Sequence, residues 1–307
     1  MNDKKKRHLG NLLLLLTAAI WGTAFVFQRM GVQDVEPMTF NASRMLLAAI
    51  AVGLVAVIMF CRERKQDDVF SSGKSLFLSK DEIIGGVFCG IFLAAASAFQ
   101  QVGLVYTTAG KAGFITALYI LIVPVISFIF FRKKISWIVW VAVLIGVFGM
   151  YLLCVNEGFS LTKGDLLVMV CALIFSGHIL CIDHFVKIGD PIRISAVQFF
   201  IATIILGVIS FIFEKPSWDA LLSAYIPILY CGVISGGVGY TLQMVGQRFT
   251  SPTVASLLMS FESVFAVIAG ALILHESMTI KELIGCIIMF AAIIIVQIPL
   301  PGRKESE

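Results

Sequence analysis

Charge is what this sequence has least of. Only 14% of its 307 residues are charged and 59% are hydrophobic, with a mean hydropathy of +0.97; a soluble domain carries about 25% charged residues. That shortage excludes a soluble enzyme, a disordered chain and a nucleic-acid-binding domain. The balance of 23 Lys and Arg against 19 Asp and Glu, a net charge of +4, offers nothing to a polyanion. No C-x-x-C pair occurs among the seven cysteines, Cys61, Cys89, Cys154, Cys171, Cys181, Cys231 and Cys286. They read as small apolar residues rather than disulfides or thiolate ligands. No Walker A motif is present, which argues against an ATP-driven pump. Neither H-E-x-x-H nor paired acidic clusters occur, as an intramembrane enzyme would need. No ring of like charges suggests a channel filter. An intramembrane enzyme and a channel-like facilitator are therefore the lesser alternatives. Period-two alternation is missing too: stretches such as 135–155 are apolar all round, unlike the strands of an outer-membrane barrel.

What is present is a series of long apolar runs, the mark of an all-α integral membrane protein. Ten are long enough or nearly long enough to span: 9–28, 39–61, 83–105, 112–131, 135–155, 166–182, 194–213, 221–245, 252–274 and 283–298. Lys4, Lys5, Lys6 and Arg7 ahead of Leu12–Leu16 resemble the start of a signal peptide, but the apolar run continues through Trp21 to Phe27 with no small-x-small site. An uncleaved first span is the expectation. Connections are short, so any site must lie within the helix bundle and membrane lipid surrounds it.

With a cytoplasmic N-terminus, 17 Lys and Arg fall on the cytoplasmic side and five on the other, namely Arg29, Lys111, Lys163, Lys215 and Lys281. The positive-inside rule then places both termini, the tails 1–8 and 299–307, in the cytoplasm. The expected location is the cytoplasmic membrane.

The chain repeats itself. At an offset of 154, Gly10, Leu12, Leu13, Ala18 and Ile20 fall on Gly164, Leu166, Leu167, Ala172 and Ile174. Pro37 falls on Pro191 in the following turn. Later the offset becomes 143, where Gln100, Val102 and Gly103 meet Gln243, Val245 and Gly246. The spacing predicts two five-helix units, 9–155 and 166–298. Five is odd, so the second unit enters the membrane from the opposite side, giving inverted-topology repeats. Such repeats are a transporter architecture.

The first span contains Ala19-Ile20-Trp21-Gly22-Thr23, the fourth Gly113-Phe114-Ile115-Thr116-Ala117-Leu118-Tyr119 with Pro124 and Arg132-Lys133-Lys134, and the ninth Ser260-Phe261-Glu262-Ser263-Val264-Phe265-Ala266 followed by His275-Glu276-Ser277-Met278-Thr279 and Gly285. In their order, and over essentially the whole chain, these segments resemble the EamA-type branch of the drug/metabolite transporter superfamily. Ser263 departs from the pattern, where members often have a proline. The resemblance implies secondary transport, without ATP or a cofactor, of a small metabolite, amino acid or drug-like solute, by export or uptake.

Two charged residues lie inside spans, Arg44 and Glu262. A carboxylate at the centre of a membrane helix costs about 2.5–3.5 kcal/mol on insertion scales and normally faces a cavity or a partner. Glu262 is close to mid-span and is expected to accept a proton or bind a cation; the competing reading is a neutral or paired Glu that ties two helices together. Arg44 lies nearer a span end, where its long side chain is expected to snorkel to the headgroups or to make a structural pair, with attraction of an anionic solute as the other reading. His178 is near the middle of the sixth span and could relay protons, bind solute, or link helices by one hydrogen bond. His178, Cys181 and His184 are three apart, but Asp183 is elsewhere on the helical wheel and the group straddles the span end, so no metal is expected. Trp21 and Phe25 share a helix face. Tyr119 is the repeat partner of Glu262, and Gln100 of Gln243. The expected binding residues are Trp21, Phe25, Tyr119, His178, Tyr240 and Glu262, with Glu262 and His178 as candidates for proton coupling. Glycines and alanines crowd the third and eighth spans, including Gly85, Gly86, Gly90, Gly232, Gly236 and Gly237, where small residues let helices approach closely.

Overall fold

The computed structural model describes residues 3–66, 78–132, 137–154, 161–250 and 252–297. Most of the 62–82 loop, Lys133, Lys134 and the 299–307 tail lie outside the described residues. Every described element is helical: α1 (Asp3–Asp34), α2 (Pro37–Gln66), α3 (Lys80–Leu104), α4 (Ala109–Thr116), α5 (Tyr119–Phe131), α6 (Trp137–Cys154), α7 (Lys163–Phe185), α8 (Pro191–Phe213), α9 (Trp218–Ser223), α10 (Tyr225–Leu229), a π-helix (Tyr230–Gly239), α11 (Tyr240–Gln247), α12 (Pro252–Met259), α13 (Glu262–Ile273) and α14 (Ile280–Gln297). Among the described residues, seven helical stretches are long and apolar enough to cross a membrane; Trp140–Leu153 and Glu262–Ile273 are shorter apolar helices.

Side chains at the starts explain where the helices begin. Ser79 and Glu82 form a reciprocal capping box on α3, with the Glu82 N–H donating to Ser79 Oγ at 3.2 Å and the Ser79 N–H to Glu82 Oε2 at 2.7 Å. Thr108 and Thr162 cap α4 and α7, and Asp190 caps α8 with Pro191 as its first residue. The α2 start is capped from a distance. Glu214, at the end of α8, accepts from the N–H groups of Met38 and Thr39 at 2.8 and 2.7 Å. The eighth span expected at 221–245 begins later, at Tyr225, because α9 ends at Ser223 and the chain bends at Ala224.

Two rods are tightened at their centres. Between α4 and α5 the N–H groups of Ile120 and Leu121 bond to the carbonyls three residues back, at Ala117 and Leu118. Between α12 and α13 those of Ser263 and Val264 do the same to Ser260 and Phe261. Both are single 3₁₀ turns inside otherwise α-helical segments. The second forms without a proline at 263; there the Ser263 hydroxyl donates to the Ser260 carbonyl at 2.8 Å.

Glycine sets the closest helix contacts. A Cβ at Gly86 would lie 2.3 Å from Val197 Cβ, and one at Gly90 2.8 Å from the Gln198 carbonyl, so α3 lies against α8 backbone to backbone. The π-helix meets α2 in the same way, through Gly232 beside Leu47 and the Arg44 carbonyl. Gly149 and Gly285 bring α6 and α14 together, each against the other's carbonyl. α1 packs on α13, where Gly22 abuts the Glu262 carbonyl and Phe265. Large apolar side chains such as Phe130, Leu144, Phe211 and Phe213 are exposed around the outside, as lipid contact requires.

Candidate functional site

One cavity lies at the meeting point of these helices. Its wall takes Trp21, Ala24, Phe25 and Gln28 from α1, Arg44 from α2, Gln100 from α3, Thr116 from α4 and Tyr119 from α5. From the other end of the chain come Phe175 and Ile179 of α7, Ser235 of the π-helix, Tyr240 and Gln243 of α11, and Glu262 of α13. The free volume is about 30 Å³, enough for roughly one or two water molecules.

The side chains are held by identifiable contacts. The Trp21 indole N–H donates to the Ser235 carbonyl at 3.3 Å, and its ring lies 4.5 Å from that of Tyr240. Arg44 is only 4% exposed, and its Nε donates to Asn41 Oδ1 at 2.7 Å. Asn41 in turn donates to the Ser97 carbonyl of α3 at 2.9 Å, which fixes the pair against a second helix. The Gln100 amide donates to Thr116 Oγ1 at 3.3 Å. Glu262 is 2% exposed and opens α13 directly after the tightened turn. Its carboxyl group interacts with the Tyr119 side chain without a hydrogen bond of regular geometry, while Gln28 Oε1 and Gln243 Oε1 have no hydrogen-bond partner within the protein. Two buried amide oxygens in residues of the cavity wall are thus available to something that enters it.

The EamA-like transporter family matches residues 8–155 and again residues 162–298. The chain belongs to that family. Among curated proteins, an uncharacterized transporter of Archaeoglobus fulgidus is 28% identical over 293 residues, covering 95% of this chain and 87% of the relative. The uncharacterized transporter YoaV of Bacillus subtilis is 24% identical over 297 residues, covering 95% and 97%. A solved crystal structure, 14% identical, shares the fold with a TM-score of 0.67 over 93% of this chain and 95% of its own.

In this EamA-like transporter the cavity gathers five of the six residues expected to bind: Trp21, Phe25, Tyr119, Tyr240 and Glu262. His178 is not among them. It is fully buried behind the wall, where Nε2 shares a hydrogen bond of 3.1 Å with Gln198 Oε1 and its ring stands edge-on to Tyr240 at 6.1 Å. Arg44 corrects the expectation of snorkelling. Its guanidinium turns inward, because α2 presents it to the face shared with α3 and the π-helix and Asn41 holds it there. The sequence did not single out Gln28, Thr116, Phe175, Ile179 or Ser235 as binding residues. Gln28 had a usable signal, being seven residues after Trp21 and so on the same face of α1. Among the described residues no cluster of three or more His, Cys, Asp or Glu could hold a metal.

Proposed function

We propose that this protein is a secondary transporter that carries a small solute through the cavity by alternating access between two inverted five-helix halves. The observation that carries the reading is that one cavity is lined from both halves of a duplicated chain. The helix pairings support the inversion, since α3 on α8 and the π-helix on α2 are the same glycine-mediated contact made twice. Counting α6, the tightened α12–α13 rod and α14 as single crossings beside the seven long stretches gives ten spans, and the charge asymmetry of the loops favours both termini in the cytoplasm. A free volume of about 30 Å³ cannot hold a metabolite, so helices must part before solute enters. That movement separates a carrier from an open channel.

Glu262 is the proposed coupling group, with protons as the coupling ion, because it is the carboxyl group that faces the cavity. His178 would act one layer behind, through Tyr240. The test uses purified protein in proteoliposomes. Saturable counterflow of a labelled solute, driven by a preloaded pool, is the expected result; single-channel conductance or turnover of the solute into another compound would overturn it. Glu262→Gln should abolish accumulation driven by a pH gradient while exchange persists at saturating solute.

A further inference from the structure

We infer that one latch, built twice, closes the two ends of the cavity: Thr107 on Asp165 at one membrane face and Thr250 on Asn11 at the other, with Asp165 as the residue that lets water part its own latch. This rests on the alternating-access reading and names the residues that hold each face shut.

The Thr107 hydroxyl, in the turn after α3, donates to Asp165 Oδ1 in the first turn of α7 at 2.9 Å. The Thr250 hydroxyl, in the turn after α11, donates to Asn11 Oδ1 of α1 at 3.2 Å. Thr107 and Thr250 are equivalent at the offset of 143, and Asn11 and Asp165 at the offset of 154. A backbone contact underlies each bond. A Cβ at Gly164 would lie 2.8 Å from the Gly103 carbonyl, and one at Gly10 3.0 Å from the Gly246 carbonyl. These four glycines are repeat partners at the same two offsets. Each latch ties the first half of the chain to the second. The helix that carries its acceptor reaches the cavity wall ten residues later, at Trp21 in α1 and at the equivalent Phe175 in α7, about 15 Å along the axis. With five crossings between their starts, as the ten-span reading has it, α1 and α7 enter from opposite faces, and the latches lie at opposite ends of the cavity.

Both latches are closed in the described conformation, in agreement with a cavity too small for a metabolite. Solute reaches it only when one of them parts. The two differ in one group, a carboxyl group at Asp165 against the amide of Asn11. Asp165 is fully buried; Oδ1 takes the Thr107 hydroxyl, and Oδ2 has no hydrogen-bond partner within the protein. Taking a carboxylate out of water costs more than one hydroxyl returns. The start of α7 offsets only part of that cost. Water entering at this face would satisfy both oxygens. The Asp165 latch is therefore held less firmly than it would be with an amide in the same place.

The test reads the accessibility of two repeat partners, Ala18 and Ala172, both fully buried and seven residues beyond the latch acceptors on the way to the cavity. Each is replaced in turn by cysteine in the full chain in lipid nanodiscs. Labelling by a membrane-impermeant thiol reagent is timed by mass spectrometry, which separates the new cysteine from the native ones. Gly164→Val wedges the Asp165 latch apart and should speed labelling of Ala172→Cys on the order of tenfold while protecting Ala18→Cys; Gly10→Val should do the reverse. Gly53→Val and Gly207→Val, with open space at the missing Cβ, should change neither rate. Asp165→Asn keeps the acceptor and drops the charge, and should slow labelling of Ala172→Cys by roughly threefold or more. If the wedged variants fold poorly, Thr107→Val and Thr250→Val, which remove only the hydroxyls, should give smaller shifts of the same signs. Rates that no wedge or hydroxyl deletion moves, or a rise at both faces with one wedge, overturn the inference. An unchanged or faster rate with Asp165→Asn overturns the part given to Asp165. Counterflow separates these outcomes from failure of the carrier reading. Latches that respond as stated, in a chain with no saturable flux of any solute, keep the inference and overturn the carrier; saturable flux with unmoved reporters does the opposite.

Discussion

Tyr119 and Glu262 occupy equivalent places in the two halves. Each is the first residue of a helix that follows a 3₁₀ turn in the middle of a rod, and both side chains reach the same cavity. The offset of 143 that aligns them in sequence also aligns the two tightened turns, Ala117-Leu118 with Ser260-Phe261. The two buried side chains interact with each other, although neither Tyr119 Oη nor Glu262 Oε1 makes a hydrogen bond of regular geometry. Removing the Tyr119 hydroxyl costs at most one weak hydrogen bond. Tyr119→Phe is therefore expected to stay within about 1 kcal/mol of the wild-type stability while solute affinity falls. A loss of stability of more than about 1 kcal/mol, the usual net value of one hydrogen bond, would instead give the hydroxyl a structural role.

Glycine positions separate packing from lipid exposure. Gly90 lies against the Gln198 carbonyl and Ile201, so Gly90→Val must force α3 away from α8 and should destabilise by more than about 1–3 kcal/mol. Gly232→Val should do the same to the π-helix against α2. Gly53 and Gly207, another pair at offset 154, have nothing near their missing Cβ. Alanine at either should be neutral or stabilise by roughly 0.5–1 kcal/mol through helix propensity. Thermal melting in detergent checks all four.

Glu276 closes one face of the bundle. From the turn after α13 it accepts from the N–H groups of Ala109 and Gly110 at 2.9 and 3.2 Å, capping α4 from the other half, while Lys111 and Glu282 form an ion pair beside it. Glu276→Ala leaves those N–H groups uncapped and should cost about 1–2 kcal/mol of stability, as lost caps do. It should also speed labelling of a cysteine placed at Ala109 by a membrane-impermeant thiol reagent. An unchanged labelling rate would mean that the clasp does not hold this face shut.

Cys89 of α3 and Cys181 of α7 bring their sulfurs to 3.4 Å, one from each half. Mild copper-phenanthroline oxidation should join them into a disulfide, losing two hydrogen atoms to the oxidant, and the bridge should appear as one cross-linked peptide by mass spectrometry. Cys89→Ser should abolish it. If α3 and α7 separate during transport, the bridge should also slow counterflow, and reduction should restore it.

Orientation has its own test. A cysteine at Lys163 should be labelled from outside intact cells, and one at Ser71 should not. The reverse pattern would overturn a cytoplasmic N-terminus.

By itself the sequence determined that this is a helical membrane protein, that it is duplicated, and which carboxyl group stands at mid-span. These are one-dimensional properties. Apolar run length follows from bilayer thickness, the Pro37 and Pro191 turns mark the repeat, and Glu262 is conspicuous because a carboxyl group inside an apolar run is costly. The tertiary structure decided which way the side chains face. Arg44 looked able to reach the headgroups, and only the contact of α2 with α3 and the π-helix turned it into the cavity. His178 looked central, and only the packing of Tyr240 and Gln198 placed it behind the wall. The tightened turns at Ala117 and Ser260 were equally hidden, since no proline or glycine marks either one. A helix that is apolar on every face carries little periodic signal to say which face is buried, so its rotation is fixed only by what it packs against.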